Sequence, residues 1–365
     1  MARSATHLVD ANRDSDGFTT VGAAIRAASS GDRIFVRPGR YEESLLIDKP
    51  LEIIGDGPLA RIEIVGTLDH VLNFRAEIGL VVNLTLSQPS GPPHLGVFIA
   101  RGQLHLEGCD ISSRTGSGVY ILGGSEPILR RNVIHFAMEV GVLFQKGGGG
   151  TLEDNEITGC GLDGVELQAG SDPVLRRNVI RDSRKHGVLF DENARGTLED
   201  NEITGSQLCG VKLEAGSDPV LRRNVIRDSQ QNGVLFDKTA RGTLEDNEIA
   251  GSQLAGVEVQ AGSDPALRRN VIRDSREYGV FIHDDGRGAF EENQITGNEQ
   301  SGVAIAGSPT LRGNRITGNR WHGIQAWGGG GGLAEDNDLT GNGLGAWGLD
   351  WKTKHRITRA RNKEK

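Results

Sequence analysis

Three acidic side chains recur at a fixed spacing in the second half of the chain. Asp191, Glu214 and Asp237 are evenly spaced, and Lys212 comes shortly before the central glutamate. If a unit of this length stacks on the next, neighbouring carboxylates lie about 5 Å apart. Carboxylates so close repel one another, raise at least one pKa or hold a cation, and a glycosidase acid and nucleophile need a similar separation. We therefore predict catalytic roles for these four residues, with Lys212 as base or charge partner, and a Ca²⁺ site at the three carboxylates. The alternative is an exposed polar face on which Lys212 balances its neighbours.

The spacing belongs to a longer repeat. Glycine recurs at the same constant interval at Gly118, Gly141, Gly164, Gly187, Gly210, Gly233, Gly256, Gly279 and Gly302. Asparagine recurs in register at Asn132, Asn155, Asn178, Asn201, Asn224, Asn247, Asn270 and Asn293, then at Asn314 and Asn337 after altered steps. Each unit holds three short apolar segments bounded by Gly and Ser-Asp-Pro, a pattern typical of strands and turns. Such small units must stack to bury their apolar faces. We predict an all-β protein, a single-stranded right-handed parallel β-helix with about 23 residues per coil.

The asparagine column is predicted to turn inward at a corner of each coil, where every amide can bond the amides above and below it. A leucine-rich repeat has an overlapping period. It is disfavoured because Leu-x-x-Leu-x-Leu never precedes the asparagine and no segment of the unit has room for a helix.

The domain prediction follows from the same pattern. A solenoid grows without a single central core, so one elongated domain is expected over 18–351. Within it, 118–322 holds the regular coils, and 18–30 is an amphipathic segment predicted to form a helix that caps the open end. Residues 1–17 are predicted to be a polar lead-in and 352–365 a basic, solvated C-terminal tail.

Composition limits the partners. The net charge of −8 argues against nucleic acid and an anionic membrane, and no apolar run reaches the length of a membrane span. No secretory signal is visible at the N-terminus, so a cytoplasmic location is expected unless a leader was removed. The three cysteines show no metal-binding spacing. We expect a monomer.

The entry segment resembles a known family. The sequence FTTVGAAIRAASSGDRIFVRPGRYEESLLIDKPLEIIGDG, residues 18–57, is similar to the start of proteins of the pectin-lyase-like superfamily of right-handed β-helices. The repeats resemble the carbohydrate-binding-and-sugar-hydrolase type of β-helix found in periplasmic copper-maturation proteins. The resemblance spans nearly the whole chain and is specific for the fold, whereas it says little about activity.

The resemblance implies that a ligand lies along the outer face of one sheet, across several coils. The outward positions of the first strand after each glycine then become candidate ligand-binding residues: Tyr120, Glu166, Leu189, Leu235, Glu258 and Phe281. Polygalacturonases, which share this fold, use an Asp-Asp pair, so His283, Asp284 and Asp285 are further catalytic candidates. The other polygalacturonase motifs are missing, and a simple turn is the alternative for this segment.

Two functions are compatible with these residues. The first is a β-helix repeat module that binds carbohydrate, such as a polysaccharide, or a protein partner along one exposed sheet face, since an active site normally interrupts a repeat. The second is a polysaccharide-active enzyme, a lyase, glycoside hydrolase or epimerase acting on an acidic polysaccharide. A purely structural spacer is a third possibility.

Overall fold

A computed structural model describes residues 4–12 and 17–365. The chain divides into two units, Met1–Ser183 and Arg184–Lys365. Each unit is a stack of coils whose strands form three parallel sheets, named here sheets A, B and C. The predicted all-β solenoid and its repeat are confirmed.

In the first unit the strands are short and follow the order A, B, C in each complete coil. Sheet A contains Thr6–Val9, Arg33–Val36, Glu52–Gly55, Ile78–Val82, Gln103–Glu107, Ile128–Arg130, Thr151–Glu153 and Val174–Arg176. Sheet B contains Gly39–Glu42, Ile62–Val65, Thr85–Gln88, Asp110–Ser113, Val133–His135, Glu156–Thr158 and Val179–Arg181. Sheet C contains Leu45–Ile47, Leu72–Phe74, Val97–Ile99, Val119–Ile121, Val142–Phe144 and Val165–Leu167.

The second unit repeats this arrangement. Sheet A contains Thr197–Glu199, Val220–Arg222, Thr243–Glu245, Ala266–Arg268, Ala289–Glu291, Thr310–Arg312, Gly332–Glu335 and Ile357–Ala360. Sheet B contains Glu202–Thr204, Val225–Arg227, Glu248–Ala250, Val271–Arg273, Gln294–Thr296 and Arg315–Thr317. Sheet C contains Val188–Phe190, Val211–Leu213, Val234–Phe236, Val257–Val259, Val280–Ile282, Val303–Ile305, His322–Ala326 and Gly345–Leu349.

The core is a set of vertical columns of like side chains. On sheet C, Val211 pairs with Val234 and Val234 with Val257, each one coil further along. These valines and the neighbouring Phe236 are fully buried. Because strand side chains alternate between two faces, the residue between each buried pair must point outward. The outer face of sheet C therefore follows directly from the repeat.

The predicted asparagine ladder is confirmed. The backbone N–H and the Nδ2 group of Asn224 both donate to Oδ1 of Asn247 at 2.9 Å. Nδ2 of Asn224 also donates to the Leu198 carbonyl at 2.9 Å. Each buried amide is thus satisfied by its neighbours, which avoids the cost of an unpaired polar group in the core. In the first unit, Asn132 bonds to Asn155 in the same way.

The N-terminal helix is confirmed, with shorter bounds than expected. It spans Val21–Ala27, and the Thr20 side chain accepts a hydrogen bond from the backbone N–H of Ala23. The Glu43 carboxylate accepts the N–H groups of Val21 and Gly22 at 2.7 and 2.8 Å, which satisfies two further donors at the start of the helix. A short 3₁₀ helix follows later, at Leu59–Arg61.

The two ends of the predicted domain differ from expectation. Thr6–Val9, placed in the polar lead-in, pairs with Arg33–Val36 on sheet A; residues 1–3 and 13–16 of that lead-in lie outside the described residues. Within 352–365, predicted to be a solvated tail, Ile357–Ala360 forms a strand that pairs with Gly332–Glu335, while most residues of the segment are exposed. Asn362 then accepts hydrogen bonds from Asn337. The segment therefore continues the strand and asparagine positions of the repeat. Its many basic residues had suggested a tail instead. Among the described residues, no helix is long and apolar enough to cross a membrane.

Candidate functional site

The outer face of sheet C in the second unit carries most of the predicted site residues. The outward positions of successive strands pair in register from Leu189 through Lys212, Leu235 and Glu258 to Phe281. All five side chains are partly exposed. A second row follows at the turn after each strand and contains Asp191, Glu214, Asp237, Gln260 and His283. The two predicted rows therefore exist.

Lys212 is an ion-pair partner of two of the predicted catalytic carboxylates. Its Nζ lies 2.9 Å from Glu214 Oε1 and 3.6 Å from Asp237 Oδ2. Burial opposes the charge of the ammonium group, but the hydrogen bonds and charges of Glu214 and Asp237 outweigh it and raise the pKa of Lys212. A lysine that stays protonated at neutral pH is suited to neutralise charge and not to accept a proton. This geometry favours the role of charge partner.

The same ion pairs bear on the predicted Ca²⁺ site. The Lys212 ammonium group already supplies a positive charge to Glu214 and Asp237, so a cation would have to compete with it. Asp191, the third member, occupies the equivalent turn and its carbonyl accepts the Ala194 N–H at 3.0 Å. The Ca²⁺ site remains a prediction.

A second polar group joins three neighbouring coils. His283 Nε2 lies 2.8 Å from Glu258 Oε1, and the Asn232 Nδ2 group donates to Glu258 Oε2 at 2.7 Å. Burial favours the neutral form of Glu258, but hydrogen bonds from His283, Asn232 and Gln260 outweigh it and lower the pKa of the carboxyl group. A carboxylate that holds one imidazole nitrogen orients the ring for proton transfer. Thus Glu258, predicted only as a ligand contact, is the partner of His283.

An aromatic cluster lies beside this polar group. The ring of Phe281 lies 4.1 Å from His283, 5.4 Å from Tyr278 and 5.9 Å from Trp327, between ring centres. Tyr278 and Trp327 are 6.2 Å apart. The coil between Phe281 and Trp327 carries alanine at both outward positions, Ala304 and Ala306. These small side chains let the rings on either side approach each other.

The cluster borders a shallow depression of about 450 Å³. It is lined by Lys238, Gln260, Ala261, Phe281, His283, Asp284, Ala306 and Trp327. A second depression of about 460 Å³ shares Asp284 and Ala306 with it, and its lining includes Arg287 and Arg356. The two together offer an aromatic wall, hydrogen-bonding groups and charges of both signs.

The predicted pair Asp284 and Asp285 has two different environments. Both side chains are exposed; Asp284 borders both depressions, and Asp285 borders the one that contains Arg356. Asp285 has a φ of 60° and its carbonyl accepts the Gly262 N–H at 3.2 Å. Asn193 occupies the same left-handed position with the same φ, so Asp285 is placed by turn geometry, which Asp and Asn tolerate. Asp284 is the better candidate for contact with a ligand.

Tyr120 and Glu166 lie on sheet C of the first unit. The Tyr120 ring is 5.8 Å from Phe98, and Phe98 is 5.0 Å from His70. Glu166 Oε1 accepts a hydrogen bond from Gln168 Nε2 at 3.1 Å. Near this row, Asp69, His70 and His94 each place a metal-binding atom within 4.8 Å of the others, a group that the regular repeat did not reveal.

The family of the protein follows from a comparison of its sequence with family models. The model described as "Right handed beta helix region" matches residues 80–226, 179–310 and 209–359. The chain belongs to this right-handed β-helix family. The predicted handedness of the coils is thereby confirmed. No curated protein sequence matches the chain significantly.

Solved structures share the β-helix fold at low sequence identity. The A-module of the Azotobacter vinelandii mannuronan C-5 epimerase AlgE6 has a TM-score of 0.53 and 14% identity, and the match covers 94% of this chain and 92% of that one. The Agl-KA catalytic domain has a TM-score of 0.55 at 13% identity, covering 98% and 69%. The catalytic domain of a GH87 alpha-1,3-glucanase in complex with nigerose has a TM-score of 0.52 at 11% identity, covering 90% and 64%. At such identities the likeness establishes the fold alone.

Proposed function

We propose that the right-handed β-helix binds a carbohydrate chain on the outer face of sheet C in the second unit. The site is centred on the aromatic cluster of Tyr278, Phe281 and Trp327. The observation that carries this proposal is the meeting of three rings around two outward alanines, beside the hydrogen-bonded His283 and Glu258. Binding sites for small ligands combine apolar walls with a few polar groups in this way.

The chemistry of a sugar suits this surface. The C–H face of a pyranose ring can lie on Phe281 or Trp327, because aromatic side chains supply a large rigid apolar area. Its hydroxyl groups can then reach Gln260, His283 and Asp284, which line the same depression. Lys238 and Arg356 border the two depressions and can attract the carboxylate of an acidic sugar. Similar structures named for mannuronan and nigerose agree with a saccharide ligand.

Titration of oligosaccharides into the protein tests the proposal. The panel contains oligomannuronate, which is acidic, and α-1,3-linked glucose oligomers, which are neutral. We expect saturable binding of at least one oligosaccharide, weakened at least tenfold in Trp327→Ala and in Phe281→Ala. Trp351→Ala is the matched control, because Trp351 is 79% exposed and outside the cluster. Absence of binding across the panel, or equal loss in the control, would contradict the proposed site.

Catalysis on a polysaccharide is the second candidate function, and the contact of His283 with Glu258 favours it. A histidine held at Nε2 by a carboxylate can exchange a proton through its other nitrogen. Turnover would release new reducing or unsaturated ends or invert a uronate centre, each detectable by NMR. We expect any such activity to be lost in His283→Ala and Glu258→Gln and retained in His135→Ala, which removes a histidine that contacts a carboxylate, Asp110, in the first unit.

A further inference from the structure

Two histidines and an aspartate lie close together in the first unit, outside the regular coils. Asp69 and His70 precede the sheet C strand Leu72–Phe74, and His94 precedes Val97–Ile99, the neighbouring strand of the same sheet. The backbone N–H of Val71 donates to the Leu95 carbonyl at 3.1 Å. Since the two segments are adjacent in the stack, the side chains meet although a whole coil separates His70 from His94 in the sequence.

The structure assigns to Asp69, His70 and His94 a binding site for a first-row divalent metal ion of the Zn²⁺ type. One donor atom of each residue lies within 4.8 Å of the others. Ligand atoms around a tetrahedral Zn²⁺ stand about 3.3 Å apart, given bonds of about 2.0 Å, so small side-chain rotations complete the set. Two imidazoles and one carboxylate suit Zn²⁺, Cu²⁺ or Ni²⁺ better than Ca²⁺ or Mg²⁺. The inference is independent of the proposed carbohydrate site.

Hydrogen bonds from neighbouring coils hold the backbone of two of the three ligands. Asp69 is held by Ser44, whose hydroxyl accepts from its N–H at 3.2 Å and donates to its carbonyl at 3.1 Å. The carbonyl of His94 accepts the hydroxyl groups of Ser113 and Thr115, each at 2.9 Å. Ligands on an ordered backbone lose less entropy when an ion binds.

A hydrogen bond to the His70 ring indicates which contact must break when a metal ion binds. The Leu95 N–H donates to Nδ1 of His70 at 3.1 Å, so Nε2 carries the proton and faces Asp69 Oδ1 at 3.8 Å. An ion bound at Nε2 replaces that proton, and the ring must then carry its proton on Nδ1 and release the Leu95 N–H. Metal binding at this site should therefore change the environment of the Leu95 amide. An ion bound non-specifically elsewhere on the protein would not have this effect.

The three proposed ligands lie beside an aromatic side chain, Phe98. His70 lies 5.7 Å from the His94 ring and 5.0 Å from the Phe98 ring. Three protein ligands leave an open position for water or for an oxygen atom of a ligand. The site thus resembles an open metal centre more than a closed structural one, in which four protein ligands surround the ion.

Calorimetric titration of Zn²⁺ into the full chain tests the inference. We expect one equivalent to bind, with affinity reduced at least tenfold in His94→Ala and in Asp69→Asn. The matched control is His135→Ala, because His135 also contacts a carboxylate, Asp110 Oδ1 at 2.7 Å, without belonging to the cluster. Co²⁺ should give the visible absorption of a tetrahedral site in the parent protein and in the control alone.

A second readout keeps the inference falsifiable if one variant misfolds. In the parent protein, Zn²⁺ should shift the NMR resonance of the Leu95 amide and speed its hydrogen exchange. Zn²⁺ binding that survives both ligand substitutions, or that leaves the Leu95 amide unchanged, would overturn the assignment. Failure of carbohydrate binding in the second unit would leave it intact.

Discussion

Two stretches of the second unit contribute to the outer face of sheet C but place different kinds of side chain on it. In 206–275 the outward residues include the Lys212 ammonium group and the carboxylates that neutralise it. In 278–342 that compensated pattern ends and the face presents Tyr278, Phe281 and Trp327. The buried valine column continues through both stretches. A repeat can thus keep its core while its outer face changes from ion-paired side chains to clustered aromatic rings.

The interior corner between sheets B and C changes at the same point. In 206–275 this corner carries Ser206, Ser229, Ser252 and Ser275, whose buried hydroxyl groups have no hydrogen-bond partner among the described residues. In the following coils the corner carries Asn298, Asn319 and Asn342, which form a second ladder: Asn298 Nδ2 donates to Asn319 Oδ1 at 2.8 Å, and Asn319 Nδ2 to Asn342 Oδ1 at 3.0 Å. The coils that present the rings are therefore joined by additional buried hydrogen bonds. We infer that this ladder helps to hold the aromatic face in place.

Breaking the second ladder should have the largest effect. Asn319→Ser removes the oxygen that accepts both the backbone N–H and the Nδ2 group of Asn298, and leaving such buried donors unpaired costs about 1–3 kcal/mol. Urea unfolding should show this loss of stability. Ser229→Ala is the control and should be nearly neutral, because the Ser229 hydroxyl has no partner to lose. Similar destabilisation by both substitutions would mean that the two corners do not differ as described.

Filling the depression beside the rings should weaken oligosaccharide binding. Ala306→Gln places at this position the residue type found at Gln260 and projects it into the depression beside Trp327. We expect oligosaccharide affinity to fall roughly tenfold, about 1.4 kcal/mol, with the unfolding midpoint unchanged. Undiminished affinity would show that the depression does not hold the sugar.

Extending the second ladder backwards should stabilise the protein. The Ser275 N–H already donates to Asn298 Oδ1 at 3.0 Å, so an amide at position 275 can donate to the same oxygen. Gly256 leaves the space beside position 275 open, as Gly279 does beside Asn298. Ser275→Asn should add about 1 kcal/mol, measured by urea unfolding. A loss of stability would indicate that the corner is too tight for the larger side chain.

The smallest effect is expected from the charge network of the regular stretch. Lys212→Met should cost about 0.5 kcal/mol, since partly exposed ion pairs contribute little, and should leave oligosaccharide binding unchanged. Because the pKa of Lys212 is raised above its ordinary value of 10.5, its contribution to stability is complete below that pH. The contribution is lost as pH rises through the higher pKa of the folded state. The difference in unfolding free energy between parent and variant should therefore be constant from pH 6 to 9 and vanish in stronger alkali.

Particular residues show how far sequence reasoning reached. The rows from Leu189 to Phe281 and from Asp191 to His283 were predictable, because a constant coil length and the alternation of strand side chains determine which of them share a face. Trp327 was missed because the step from Gly302 to Gly323 is shorter than the regular one, so a constant spacing does not reach it. The strand register nevertheless places it in the row of His283 and Ala306. Tyr278 was missed because it lies at the corner before the strand and not on an outward strand position.

The β-solenoid, the asparagine ladder and the outer face of sheet C were predictable from the residues alone, because they depend on local alternation repeated at a constant period. Which polar and aromatic groups meet on that face became visible only in the folded protein. Whether Lys212 neutralises Glu214, Glu258 holds His283, or His94 reaches Asp69 depends on side-chain directions at turns and on coils of irregular length. A repeat specifies the position of each Cβ atom, whereas contacts of a few ångströms between side chains arise only when neighbouring coils are stacked.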